Sequence, residues 1–153
     1  MKIFITSDHH FGHRNIIRYC NRPFSSIEEM NEEMISRWNS VVSPTDVVIH
    51  LGDFSFGDER MIHEIRKRLN GEIILILGNH DYYASQSEDF VIINGHLKLD
   101  KIILSHRPIP MEEIPRGFVN IHGHIHEKES YSGINVSVER TNYFPIELNK
   151  VGR

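Results

Sequence analysis

A chain of 153 residues with 39% hydrophobic and 25% charged residues has the make-up of one soluble globular domain, large enough to bury a core and too apolar for disorder. Its formal net charge of −4 excludes a broad electrostatic grip on DNA or RNA, while a small, locally bound nucleic acid stays open. The single cysteine, Cys20, forbids an internal disulfide and fits a reducing, cytoplasmic setting; no apolar run reaches membrane-spanning length and no signal-peptide pattern opens the chain.

Histidine is the outlier: 11 of them point to metal binding more than to a basic surface. Lys2 to Ser7 reads as a short apolar strand ending on Asp8-His9-His10. Alternation along an extended backbone puts Asp8 and His10 on one face and turns His9 away. A carboxylate and an imidazole together make half a site for a borderline divalent ion; for an isolated Asp-x-His a surface loop is the alternative. His13 and Arg14 follow closely enough to overhang the same strand end, and Asn15 to Cys20 suits a short helix.

Pro23 breaks the chain, and Ser26 with Glu29 then forms a capping box. Ile27, Met30, Met34, Trp38 and Val41 fall on one helical face, with Glu28, Glu32, Glu33 and Arg37 opposite, until Ser43-Pro44-Thr45 ends the helix. Asp46 to Leu51 is a second buried strand, followed by Gly52-Asp53; His50 within it reads as a hydrogen-bonded core histidine. Asp58 caps a helix through Leu69, with Ile62, Ile65 and Leu69 inward, His63 outward, and Asn70-Gly71 closing it.

Ile73 to Leu77 is the third buried strand, an unbroken apolar run that stops at Gly78 and delivers Asn79, His80 and Asp81. Buried strands alternating with helices predict right-handed βαβ crossovers and a layered α/β fold, whose sites lie at the carboxyl ends of strands. Tyr82 to Glu88 is a polar loop. Phe90 to Ile93, Leu97 to Leu99 and Ile102 to Leu104 read as short strands joined by Asn94-Gly95 and Asp100-Lys101 turns; the last ends on Ser105-His106, and Arg107-Pro108 turns away. After a proline-rich acidic loop, Phe118 to Ile121 runs into His122-Gly123-His124-Ile125-His126. His124 and His126 alternate and share a face, whereas His122 is set aside because Gly123 interrupts the strand. Ser132 to Glu139 and Tyr143 to Leu148 are expected closing strands. No repeat or linker divides residues 1–153, so a single domain is expected.

Asp8, His10, Asp53, Asn79, His106, His124 and His126 together offer two carboxylates, an amide oxygen and four imidazoles, enough for two divalent ions sharing one carboxylate. Such a pair, ~3.5–4 Å apart, clamps a phosphate, activates a bridging water and stabilises both oxygens of an in-line displacement. Mixed N and O ligands without thiolate argue against structural zinc. The order Asp8-x-His10, Gly52-Asp53, Gly78-Asn79-His80-Asp81, His106 and Gly123-His124-x-His126 resembles the calcineurin-like metallophosphoesterase family across residues 8 to 126. Ser105 stands where that family usually has glycine before its histidine. The run DHHFGHRNII, with NVSVE at Asn135 to Glu139, is similar to a compact bacterial and phage branch.

The resemblance implies a four-layer α/β/β/α sandwich. It further implies one metal on Asp8, His10 and His126, another on Asn79, His106 and His124, and Asp53 between them. By the same resemblance His80 contacts phosphate and protonates the leaving group, with Asp81 orienting it. Manganese is the leading ion, with iron, nickel or zinc as alternatives. The expected activity is that of a phosphodiesterase, on a nucleotide or short oligonucleotide, since a chain of this size leaves the cleft uncapped. A phosphatase with the same site, a non-catalytic metal-binding module and a plain metal store are the competing readings. His13 and Arg14, and less so Arg107, are candidate substrate contacts as well as plain surface residues; a homodimer is also expected as an option.

Overall fold

The computed structural model describes residues 1–152. In chain order it holds β1 (Ile3–Thr6), α1 (Arg14–Tyr19), α2 (Ile27–Val41), β2 (Val47–His50), α3 (Glu59–Arg68), β3 (Glu72–Ile76), β4 (Val91–Ile93), β5 (Leu97–Leu99), β6 (Ile102–Ser105), β7 (Val119–His122), β8 (Ile134–Asn135) and β9 (Ile146–Glu147). The strands form two sheets, ordered β4-β3-β2-β1-β9 and β5-β6-β7-β8. In the first, β1 to β4 run parallel and β9 is an antiparallel edge. In the second, β6, β7 and β8 run parallel and β5 is the antiparallel edge. Every strand that precedes a site residue is therefore a parallel one, and its carboxyl end is where that residue emerges.

The unbroken apolar runs follow from two cores, one on each face of the first sheet. Phe4, Val48, Ile73 and Leu75 point to the helices, where Met30, Met34, Trp38, Ile62 and Ile65 meet them. Ile5, Ile49 and Ile76 point the other way and pack against Leu104, Ile121 and Val136 of the second sheet. Strand alternation thus supplies both cores from consecutive residues. Both main helices are capped as expected: Ser26 Oγ accepts from Glu29 N–H and Asp58 Oδ1 from Met61 N–H. The return arm of the box differs, because Glu29 Oε2 accepts from Ser25 N–H at 2.8 Å instead of from Ser26.

Four expectations need correcting. Along α2 the buried stripe is centred toward Ile35 and Val42, leaving Val41, at the last turn, 40% exposed. Asn94-Gly95 is no hairpin turn: β4 pairs with β3 and β5 with β6, so this dipeptide carries the chain between sheets. The Ser132 to Glu139 strand shrinks to Ile134–Asn135, followed by a 3₁₀ turn at Val138–Arg140. Finally, helices cover only the first sheet, so the expected outer helical layer is replaced by loops. Pro108, Pro110 and Pro115 interrupt that stretch too often for a helix and leave one 3₁₀ turn at Met111–Glu113. The loops still satisfy the outer face of the second sheet: Ile109 N–H donates to Asn120 Oδ1 at 2.9 Å, and His122 Nε2 lies 2.7 Å from Ser130 Oγ.

Candidate metal centre

Five parallel strand ends converge on one edge, and the chain kinks there. Asp8, His10, Asp53, His124 and His126 all lie in the left-handed region, with φ of 63°, 52°, 56°, 73° and 52°. Non-glycine residues avoid that region, so its repeated use marks backbone held against local preference by its surroundings. Strand alternation therefore does not set which side chains meet: β1 ends at Thr6, and Asp8 and His10 come together through kinks. The same holds for His124 and His126, which turn into different clusters. The kinked loops also press together, and at Gly78 an added Cβ would collide with the Asp53 backbone and carboxylate.

Two clusters result. Ligand-type atoms of Asp8, His10 and His126 lie within 4.8 Å of one another, and so do those of Asp53, His106 and His124. Asn79 joins the second through its Oδ1, 3.0 Å from His106 Nε2. Asp53 stands between the clusters: its Oδ2 is 3.3 Å from His10 Nε2 and 3.5 Å from His106 Nε2. The sequence-expected ligand set is thus brought together in full. His50 is the core histidine it was read to be, paired with His9 at 2.9 Å, and His122 stays outside the centre.

The donors fit a divalent cation. Asp8 Oδ1 and His10 Nε2 are buried without any hydrogen-bond partner, although buried polar atoms are nearly always paired. His106 Nδ1 donates to Leu51 O at 2.8 Å, which turns its Nε2 toward Asn79 Oδ1 and His124 Nδ1, at 3.0 and 3.1 Å. Nitrogen and oxygen ligand atoms brought this close make a mixed donor set of the kind a divalent cation takes. Electrostatics agree. Burial disfavours the charged form of His10, but the Asp53 and Asp8 carboxylates prevail and raise it to about 9. Burial likewise raises Asp8 and Asp53, yet the neighbouring imidazoles, His10 first and then His106, bring both below the ordinary carboxylate value.

An outer ring of partners orients these groups, as at many metal sites. His126 Nδ1 is 2.9 Å from Glu139 Oε2, which also receives the buried Arg22 guanidinium at 2.9 to 3.0 Å. Arg22 further donates to the carbonyls of His9 and Asp8, at 2.6 and 2.7 Å, and so holds the loop carrying Asp8 and His10. Neither residue was singled out from sequence; the NVSVE run containing Glu139 was the available signal. Asp8 Oδ2 accepts from Ser7 Oγ and, at 2.8 Å, from His124 N–H.

Asp81 departs from expectation. Its carboxylate accepts three backbone N–H groups, Asp53 at 2.7, Phe54 at 2.9 and Gly78 at 2.7 Å. With both oxygens so engaged it fixes the loops after β2 and β3 and makes no hydrogen bond to the His80 ring. That ring is exposed at the rim, its centroid 5.5 Å from that of His10. His13 Nδ1 lies 3.1 Å from His10 Nδ1, and burial beside the His10 ring pulls His13 down to about 4. Arg14 and Arg107 are exposed; Arg107 flanks Asn79 and His106 in one cavity.

Cys20 also approaches His126 and Glu139 within 4.8 Å. Burial first, then the charges of Glu139 and Glu127, push its thiol up to about 12. Alkylation of native protein by iodoacetamide at pH 8 is therefore expected to be on the order of 10³-fold slower than for the unfolded chain, because so little thiolate is present. Mass spectrometry of the labelled fraction over time measures this; equal rates would refute it.

Comparison with known proteins gives this centre a context. The family model for calcineurin-like phosphoesterases matches residues 1–149. The chain is 42% identical over 163 aligned positions to an uncharacterized protein of Methanocaldococcus jannaschii, covering 98% of this chain and 89% of that one. It is 37% identical over 87 positions to the gene 66 protein of Mycobacterium phage L5, covering 51% of this chain and 39% of that one. A crystal structure of a protein of unknown function from Aquifex aeolicus superposes with a TM-score of 0.75 at 26% identity, over 97% of this chain and 96% of that one. With its two sheets meeting at clustered histidines and aspartates, the chain belongs to the calcineurin-like phosphoesterase family, whose members are metal-dependent hydrolases of phosphoesters.

Proposed function

We propose that this protein is a phosphodiesterase that works with two divalent ions, manganese first among them. The observation that carries the reading is Asp53 Oδ2, 3.3 and 3.5 Å from imidazole nitrogens of the two clusters. In this reading Asp8, His10 and His126 hold one ion, Asn79, His106 and His124 the other, and Asp53 serves both. Ions bound there would supply an activated water and charge neutralisation for an in-line displacement.

The residues of the chain supply the rest. His80, at the rim, donates the proton that the departing oxygen needs, and its backbone N–H is held by Asp53 Oδ1 at 2.9 Å. Asp81 keeps the Asp53 and Gly78 loops in register through its three N–H bonds. The clusters open at a sheet edge where His80 and Asn79 are exposed. A phosphate with substituents on both sides fits such an edge without an enclosing pocket, which favours diesters and a nucleotide or short oligonucleotide.

Initial rates of chelator-stripped protein reloaded with manganese, on an aryl phosphodiester and the matching monoester, test this. A higher kcat/KM for the diester is expected. Preference for the monoester would make the protein a phosphatase. No turnover of either, with two ions bound per chain, would favour a non-catalytic metal-binding module.

A further inference from the structure

The rim beside His80 carries an aromatic surface that the proposed chemistry does not use. Phe56 is 50% exposed, although nothing about a loop requires a large apolar ring in water. One face of it stacks on His13, with centroids 4.0 Å apart and planes 13° from parallel. His13 in turn is tied to His10 at 3.1 Å, and the Phe56 ring lies tilted beside that of His80, centroid to centroid 5.3 Å. Tyr19, 63% exposed, meets His13 edge-on at 6.2 Å and extends the surface outward.

The ring is presented on a fixed backbone. Phe56 N–H donates to Phe11 O at 2.9 Å, Ser55 Oγ to the same carbonyl at 3.0 Å, and Gly57 N–H to Ser55 Oγ at 3.0 Å. A bridge between Phe11 and Ser55 joins this loop to the one carrying His10 and His13. A separate cavity of about 370 Å³ at the centre is lined by Asn94, His96 and Arg107 together with Asn79, His106, Leu77 and Ile109, and does not include Phe56.

We propose that Phe56, backed by His13, is the stacking platform for a flat aromatic substituent of the substrate, a nucleobase, and so sets its class. The inference rests on the site being a phosphoester site. A rigid exposed ring suits the task because a base has two π-faces and stacking tolerates any base, whereas the net charge of −4 gives no support for a long nucleic acid. The platform reaches a single base next to the phosphate.

The test measures binding and not turnover. Calorimetric titration of manganese-loaded protein with AMP and with ribose 5-phosphate compares ligands that differ only in the base. Wild type is expected to bind AMP about tenfold more tightly, on the order of one base–aromatic stack. That ratio should fall to about one in Phe56→Ala and return in Phe56→Tyr, and as a ratio it is insensitive to any general loss of folded protein. A ratio of one in wild type, or a tenfold ratio surviving in Phe56→Ala, overturns the proposal. Catalysis is judged separately: a protein that shows the ratio but cleaves no diester keeps the platform and loses the proposed activity, and the reverse pattern does the opposite.

Discussion

Asp53→Asn is expected to lose both metal ions. Metal analysis of the dialysed variant should find well under one ion per chain, where the parent is expected to carry two. The substitution leaves size unchanged but removes the one negative charge placed between the clusters, with Oδ2 at 3.3 and 3.5 Å from the two imidazoles. It also sets a donor amide in competition: Asp53 Oδ1 already accepts His80 N–H at 2.9 Å, so the amide NH₂ is turned toward the cations. Removing one member of a buried charge pair costs about 3–5 kcal/mol, or roughly three orders of magnitude in affinity. Two tightly held ions in Asp53→Asn would show that each cluster is self-sufficient and that the shared carboxylate is misassigned.

His80→Ala should give the opposite pattern, with metals retained and turnover reduced. Its ring lies at the exposed rim, outside both clusters, so its removal uncovers no ligand. Loss of a positioned acid lowers kcat by about 10²–10⁴. Parallel metal analysis and steady-state kinetics check this. A variant short of metal would reassign His80 to the centre, and one with unchanged kcat would end its role as acid. Asp81 is no substitute probe for the same question, because its three backbone N–H bonds make any variant a test of loop position.

Much of the architecture was legible because parallel strands write themselves as unbroken apolar runs, and each of these ended on a polar side chain. Asp8, Asp53, Asn79, His106, His124 and His126 stood out by the recurrence of that pattern together with the resemblance of their order to a known family. The route by which they meet was not legible. Strand alternation pairs Asp8 with His10 and His124 with His126, but four left-handed kinks at those residues do the aiming instead, and one pair is split between clusters. Turn chemistry misled at Asn94-Gly95, since a dipeptide that suits a hairpin also suits a crossing between sheets. Arg22 and Glu139 went unread for a different reason: they are 117 positions apart, and no local pattern announces an ion pair formed by tertiary folding. Phe56 was passed over because a lone aromatic next to glycine looks like any loop residue until its exposure is known.

The division of the site between the two sheets has a mechanical consequence. The loops after β1, β2 and β3 carry Asp8, His10, Asp53 and Asn79, while those after β6 and β7 carry His106, His124 and His126. Each cluster therefore takes ligand-type atoms from both sheets, and an ion held in either one would cross-link them. In a chain whose single cysteine denies it an internal disulfide, two such ions would be reversible clasps at the open end of its inter-sheet core. Ion binding at that edge would then become cohesion between the sheets, growing with the logarithm of free ion concentration above the dissociation constant. With ions bound, the same atoms proposed to act on a phosphate would hold shut the sandwich that positions them.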